Sequence, residues 1–453
     1  MSPSMSRIHL RPALLLSILL LPGWAHSADI LTVYREAFFG DPELRAAAAN
    51  RDAVKEGIAQ SRALLLPDAE FRGTAEKSDF KHQPDQEITG FEIEVVQPII
   101  RIARVNALRE SEFNASAAQS DFTFAEQDLI IRVADAYFGL LRATNDLDFS
   151  RADREATRYQ LNQATRRFEV GLVTITDVHE AQARFDLANA DEITAEFNLE
   201  DAQEALRDLT GTLHRVVDRV RDDLPLDAVT PDDVEAWVVL AKEQNPGIDA
   251  NRFSVESARE AIERQRAGHL PTLDAYATYF ETNNNIVTRT GVDREGGSIG
   301  LRLSLDLYSG GAVNSRTREA QFRYQQSIEL LEDTTRGVER QTRNAFQAVK
   351  AAISRVKALA QAVVSTRSGL EATQAGFEVG TRTIVDVLNS QRDALRAQRD
   401  YYQSRYVYIQ GRLILEQAAG SLSVNDLEAV NAWLTPEKRE INIGPSYDAS
   451  VTL

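Results

Sequence analysis

Phe168-Glu169-Val170-Gly171-Leu172-Val173-Thr174-Ile175-Thr176-Asp177-Val178 returns 209 residues later as Phe377-Glu378-Val379-Gly380-Thr381-Arg382-Thr383-Ile384-Val385-Asp386-Val387. An earlier pair, Leu66-Pro67 and Leu270-Pro271, repeats at an offset of 204. The chain is therefore a tandem of two long units, with a five-residue insertion between these markers. Repetition on this scale decides the architecture before any single element is assigned. The units are expected at 28–224 and 225–434, with a tail at 435–453.

Proline is absent between Pro98 and Pro225 and again between Pro271 and Pro436. An interior proline removes a helix hydrogen bond and clashes with the preceding turn, so these gaps permit long helices. The stretch 102–168 is rich in Ala, Arg, Glu, Gln and Leu, and its only glycine is Gly139. Such a composition favours helix, and the tract could reach ~100 Å at 1.5 Å per residue. Gly171 breaks it, and a second helix is expected over 176–209, with 212–224 as its loose continuation. The second unit follows suit at 312–377, Gly380 and 383–419, so the helical hairpins fall at about 102–210 and 312–419. Leu129, Val133, Ala136 and Leu140 form one apolar row, and Ile130, Ala134, Tyr137 and Leu141 a neighbouring one. Two adjacent rows at helical spacing suit a helix packed on both sides, while Arg132, Asp135 and Arg142 keep another face wet.

A β pattern precedes each long helix. In 298–307, Ile299, Leu301, Leu303, Leu305 and Leu307 alternate with Ser298, Arg302, Ser304 and Asp306. In the first unit Phe91, Ile93 and Val95 alternate with Glu92 and Glu94. Partner strands are expected at 68–80 and 272–282, giving β-hairpins at about 68–97 and 272–307 around polar turns at 81–89 and 283–297. Strands of about ten residues, apolar on one side and charged on the other, fit a transmembrane β-barrel.

The N-terminus reads as a secretory signal at 1–27. Arg7 and Arg11 precede a short apolar run at 13–21, and Ala25-His26-Ser27 is a small-residue cleavage site. No other segment is apolar for long enough to span a bilayer as a helix, so an exported chain of this kind is soluble or a β-barrel. Cysteine is absent, which excludes disulfides, thiol chemistry and a lipid-modified cysteine. The net charge is −17, or −19 without Arg7 and Arg11. Nucleic acid is excluded as a partner, because phosphate binding needs a basic face. A hydrophobic content of 43% argues for packed structure over disorder. Four strands cannot close in lipid, where every open edge leaves backbone groups unpaired. Known barrels start at about eight strands. The chain must oligomerise: two copies give a narrow filled barrel, three give twelve strands and an open lumen.

Together these features resemble the TolC family of outer-membrane efflux and type I secretion ducts. The motifs are Gly268-His269-Leu270-Pro271-Thr272-Leu273-Asp274, Leu307-Tyr308-Ser309-Gly310-Gly311 and Val379 through Leu388, with Val170 through Val178 as partner in the first unit. The resemblance runs from Asp41-Pro42-Glu43-Leu44-Arg45 to about Leu434. It implies a mainly α tandem-repeat fold. A homotrimer forms a 12-stranded β-barrel in the outer membrane of a Gram-negative bacterium, continuous with a 12-helix periplasmic α-barrel and girdled by a mixed α/β equatorial belt. That belt would take up the N-terminal segment, 211–246 and the chain end. Thr230-Pro231-Asp232-Asp233 reads as a helix cap with proline in the first turn, and 234–244 as the belt helix.

The resemblance also implies function: a passive conduit that docks a periplasmic adaptor (membrane fusion) protein and an inner-membrane ABC or proton-driven pump, and exports drugs or secreted proteins. No cofactor is implied, and the chain is not expected to be an enzyme. Val170, Gly171, Leu172, Val379, Gly380 and Thr381 would be the adaptor-docking tips, although both glycines also read as simple turn residues. Asp386 would line the pore constriction. The family commonly has a second aspartate where this chain has Asn389, so three carboxylates instead of six are expected in the ring. Arg382 would latch the entrance with Thr176 and Asp177 as partners. An exposed ion pair of little value is the plainer reading of those residues. Phe377 stands where a tyrosine usually assists, so one latch bond is expected to be missing.

Other chemistry finds no support in the sequence. His9, His26, His82, His179, His214 and His269 show no paired ligand spacing, so no metal site is expected. Gly296-Gly297-Ser298-Ile299-Gly300 opens a strand and lacks a following lysine, unlike a phosphate loop. No nucleophile elbow occurs. The rival reading is a soluble periplasmic pump adaptor. Adaptors carry one helical hairpin flanked by β domains, whereas this chain carries two of equal length.

Overall fold

The computed structural model describes residues 28–79, 81, 86–286 and 294–435. The expected signal at 1–27, the tail beyond 435 and parts of both β-hairpin loops lie outside the described residues. The chain runs α1 (Ile30–Gly40), α2 (Pro42–Ala63), β1 (Asp68–Ser78), β2 (Gln86–Ile100), α3 (Ile102–Glu169), α4 (Ile175–Thr210), β3 (Arg219–Val220), α5 (Val234–Gln244), α6 (Pro246–Arg266), β4 (Thr272–Ile286), β5 (Arg294–Ser304), α7 (Ala312–Glu378), α8 (Ile384–Ala419), α9 (Val424–Asn431) and β6 (Leu434–Thr435).

The long proline-free tracts are single helices: α3 has 68 residues and α7 has 67, each about 100 Å long. Gly139, Gly337 and Gly369 interrupt neither. α3 is paired along its lower half by α4 and α8, and along its upper half by α2 and α6. The two apolar rows explain this. Leu129, Val133 and Leu140 on one, and Ile130, Ala134, Tyr137 and Leu141 on the other, are all buried. They meet Tyr34, Leu206, Phe346, Tyr406, Ile409 and Leu413 in one core at the level of the belt.

The short upper helices begin where the lower ones stop. Gly40 lies against the Thr210 carbonyl at the end of α4, and Asp41 then caps α2, accepting from the Leu44 amide at 2.9 Å. Asn245 caps α6 and donates to the Ala418 carbonyl near the end of α8 at 3.1 Å. Each lower helix is thus continued upward by a helix distant in sequence. This corrects the assignment of the whole N-terminal segment to the belt: α1 contributes there, but α2 packs along α3.

Three further expectations are corrected. The stretch 212–224 does not continue α4, because Gly211 turns left-handed (φ +72°) and ends it. The chain then forms β3, which pairs with β6 near its end. Pro231 is not in the first turn of α5: the cap is Asp233, whose carboxylate accepts from the Glu235 amide at 3.1 Å. The last strand stops at Ser304 instead of reaching 307, because its partner β4 begins opposite at Thr272. Arg132 is also more than a wet residue. It holds Asp41 at 2.8 Å and Asp128 at 2.9 Å, pinning the start of α2 to α3.

The larger sheet has the order β1-β2-β4-β5, antiparallel throughout. Phe71, Phe91, Ile93, Ile299, Leu301 and Leu303 share one face by register. Phe71 and Phe91 stack at 6.0 Å there. Glu70, Arg72, Glu92, Glu94 and Arg302 share the other face. Glu70 directly opposes Glu94, an unfavourable pairing. Arg72 relieves it by reaching Glu70 at 3.0 Å and Glu92 at 3.6 Å. Among the described residues, the outer strands β1 and β5 each have one edge unpaired.

Candidate functional site: the helical tips

The two helical hairpins turn by one local construction used twice. In the first, Gly171 is left-handed (φ +75°), its amide donates to Phe168 O at 2.9 Å, and the Leu172 amide donates to Arg167 O at 2.8 Å. In the second, Gly380 (φ +78°) donates to Phe377 O at 3.1 Å, and the Thr381 amide to Gly376 O at 2.8 Å. These bonds satisfy carbonyls at each helix end. Val170, Leu172 and Val379 project at 69%, 73% and 75% exposure. An apolar side chain so exposed on both turns leaves a surface that no other described residue covers.

A reciprocal cap follows each turn. Thr174 N and Oγ1 both donate to Asp177 Oδ2 at 2.8 Å, and the Asp177 amide donates back to Thr174 Oγ1 at 3.3 Å. Thr383 and Asp386 repeat the pattern at 2.9, 2.9 and 3.2 Å. The bonds from the Thr383 backbone and side chain, helped by nearby Arg382, hold the Asp386 carboxyl below its usual pKa. The Thr-x-x-Asp spacing is a capping-box signal legible in the sequence, so Asp177 and Asp386 carry a local structural role that the resemblance alone does not give.

Within the chain, Arg382 and Asp177 are not brought together. Arg382 makes no salt bridge among the described residues, and its aliphatic stem lies over Gly376 of its own hairpin. Thr176 is exposed. Phe377 and Asn389 do meet the other hairpin. The Arg167 guanidinium sits 4.5 Å over the Phe377 ring, and Arg184 Nη2 lies 3.4 Å from Asn389 Oδ1. Neither arginine was singled out by its sequence pattern.

Residues 33–212 and 237–421 match the family described as Outer membrane efflux protein. Outer membrane protein TolC of Vibrio cholerae is 38% identical over 420 residues, covering 92% of this chain and 95% of that protein. TolC of Escherichia coli K12 is 35% identical over 425 residues, covering 91% and 86%. The alkaline protease secretion protein AprF of Pseudomonas aeruginosa is 31% identical over 332 residues, covering 70% and 69%. The fold resembles the outer-membrane channel OprN, with a TM-score of 0.75 at 17% identity over 86% of this chain and 90% of that one. It also resembles the Campylobacter jejuni CmeC channel, at 0.75 and 15% identity over 96% and 98%.

The chain belongs to the outer membrane efflux protein family. It is an outer-membrane efflux and secretion duct with a TolC-like channel fold, and it does no chemistry on its cargo. The rival reading as a soluble adaptor is not supported.

Proposed function

We propose that three copies of this chain close a 12-stranded barrel in the outer membrane above a 12-helix tunnel, and that the helical tips form its gated periplasmic entrance. The observation that carries this reading is the four-stranded sheet with β1 and β5 unpaired on their outer sides. Unpaired edges are costly in lipid, and pairing β5 of one copy with β1 of the next removes them all. The repeats 28–224 and 225–434 then each contribute one β-hairpin and one helical hairpin per copy. In detergent the purified protein should have the mass of three chains and form conducting pores in planar bilayers. A monomer soluble without detergent overturns the reading.

The exposed apolar tips, Val170 to Leu172 and Val379 to Thr381, suit docking by an adaptor that links the duct to an inner-membrane pump. The chain is similar both to TolC and to the alkaline protease secretion protein AprF, which suits a common duct whose pump selects the cargo. At the entrance, Arg382 latches to Thr176 and Asp177 of a neighbouring copy; within its own chain it lies near Asp386 but forms no salt bridge among the described residues. Charge-assisted bonds of this kind are the stronger class. Arg382→Ser is therefore expected to raise single-channel conductance, and an unaltered conductance removes the latch.

Asp386 Oδ2 serves the cap, and Oδ1 takes no part in it. Its lowered pKa keeps the carboxylate charged at neutral pH. A ring of three such groups attracts cations and repels anions. Asp386→Ala should move the reversal potential in a salt gradient towards zero; an unchanged cation preference rejects the ring.

A further inference from the structure

We infer that Arg167 and Arg184 form an intramolecular clamp that grips the second helical hairpin at Phe377 and Asn389, on either side of its tip turn. This deepens the gated-entrance reading above and rests on it. The geometry is a pair of parallel links. Arg167 on α3 covers Phe377 on α7, with Cζ 4.5 Å from the ring centroid. Arg184 on α4 donates from Nη2 to Asn389 Oδ1 on α8 at 3.4 Å. Each link joins one helix of the first hairpin to one helix of the second.

These links lie on the tip side of the packing that joins the two hairpins near the belt. Towards the belt the two hairpins are knitted by Asn145 to Tyr406 Oη at 2.6 Å, Gln403 to Asp146 at 2.9 Å, and Phe149 stacked on Tyr402 at 6.1 Å. Leu395 and Ala152 extend that packing downward. Burial continues beyond it at Gln160 and Ala164 on α3 and at Val387, Leu388 and Gln391 on α8, and the two arginine contacts flank these residues near the tips.

Both contacts are of the releasable kind. A guanidinium on an aromatic face at a partly exposed site is a weak bond, and an arginine–amide bond lacks the second charge that strengthens arginine–carboxylate pairs. The Arg167 backbone is fixed by the Leu172 amide, so the side chain reaches Phe377 from a rigid turn. The guanidinium of Arg184 also lies close to Asp153 of its own hairpin. That carboxyl is pushed up in pKa by burial and by Asp191, and eased by Arg392 and Arg184. Asn389 carries no charge, so Arg184 meets it through a hydrogen bond alone. An aspartate at 389 would turn this link into a salt bridge and hold the hairpins together more firmly. Phe377 supplies the π face that Arg167 uses.

The test is single-channel conductance of the assembled protein in planar bilayers at high symmetric salt, where added pore charge is screened. Phe377→Leu and Arg167→Gln should each raise the time-averaged conductance about two- to fivefold, the shift in open–closed equilibrium that one such contact is worth, and the double variant should add little. Phe377→Trp, which offers a better face to the guanidinium, should lower it. Asn389→Asp should lower conductance in the parent protein and have no such effect beside Arg184→Gln. Phe377→Trp behaving like Phe377→Leu, or Asn389→Asp acting equally without Arg184, overturns the clamp. Arg382→Ser separates the two levels. A rise there with none in the clamp variants rejects the clamp and leaves the gate. No change in any variant rejects both.

Discussion

Gly420→Ala should destabilise the assembled protein severely, while Gly337→Ala in α7 should be neutral or mildly stabilising. Gly420 ends α8 in the left-handed region at φ +81°. A Cβ there would lie 2.3 Å from Gln244 O and 2.6 Å from Asn245 Cα. Those atoms are backbone at the junction of α5 and α6 and cannot rotate aside. The Gly420 carbonyl also accepts from Gln127 Nε2 of α3 at 2.9 Å, so the residue is held from a third side. The left-handed penalty is about 1–2 kcal/mol, and forced overpacking adds about 1–3 kcal/mol. At Gly337 a Cβ meets nothing within 4 Å. Alanine there should gain up to about 1 kcal/mol of helix propensity. Thermal unfolding in detergent and the yield of assembled protein would measure both. Equal behaviour of the two variants would remove the junction from the account of the fold.

Arg132→Met is the second large effect. Asp41 is buried, and Arg132 meets both of its carboxylate oxygens, at 2.8 and 3.2 Å. Burial works against this carboxylate. The Arg132 guanidinium and the Leu44 amide outweigh it and hold the Asp41 pKa below the usual carboxylate range. Removing the arginine strands a buried charge, at about 3 kcal/mol. That is the low end for a broken buried pair, because the Arg132 side chain remains 25% exposed. The sign of the pH dependence follows. A lowered folded pKa gives stability that is present above the unfolded value, near 4, and is lost as pH falls through the folded one. The deficit of Arg132→Met should therefore be full at pH 7 and shrink as acid protonates Asp41. A deficit that is constant with pH would point to lost packing by the arginine stem instead.

Much of the fold is legible in the residues themselves. Proline gaps bound α3 and α7, the glycines at 171 and 380 mark the tips, and alternation marks β2 and β5. The capping boxes at Thr174-Asp177 and Thr383-Asp386 were equally open to reading, since their signal spans only three residues. The extra helices α2 and α6 were harder. Their sequences carry good caps, Asp41-Pro42 and Asn245-Pro246, but nothing local says that they continue α4 and α8. Arg167 and Arg184 are ordinary exposed-face arginines by pattern, and only a partner on the other repeat singles them out.

By itself, then, the sequence determined the twofold repeat, the great helix lengths, the turn positions and the family. Those properties rest on interactions within a turn or two of chain, which periodicity and breaker residues record directly. Tertiary structure alone decided which helices stack end to end, that Arg132 meets an aspartate 91 residues away, and which side chains bridge the hairpins near the tips. Such pairings depend on how two long helices are set against each other, and a small rotation of either would give the same residues different neighbours.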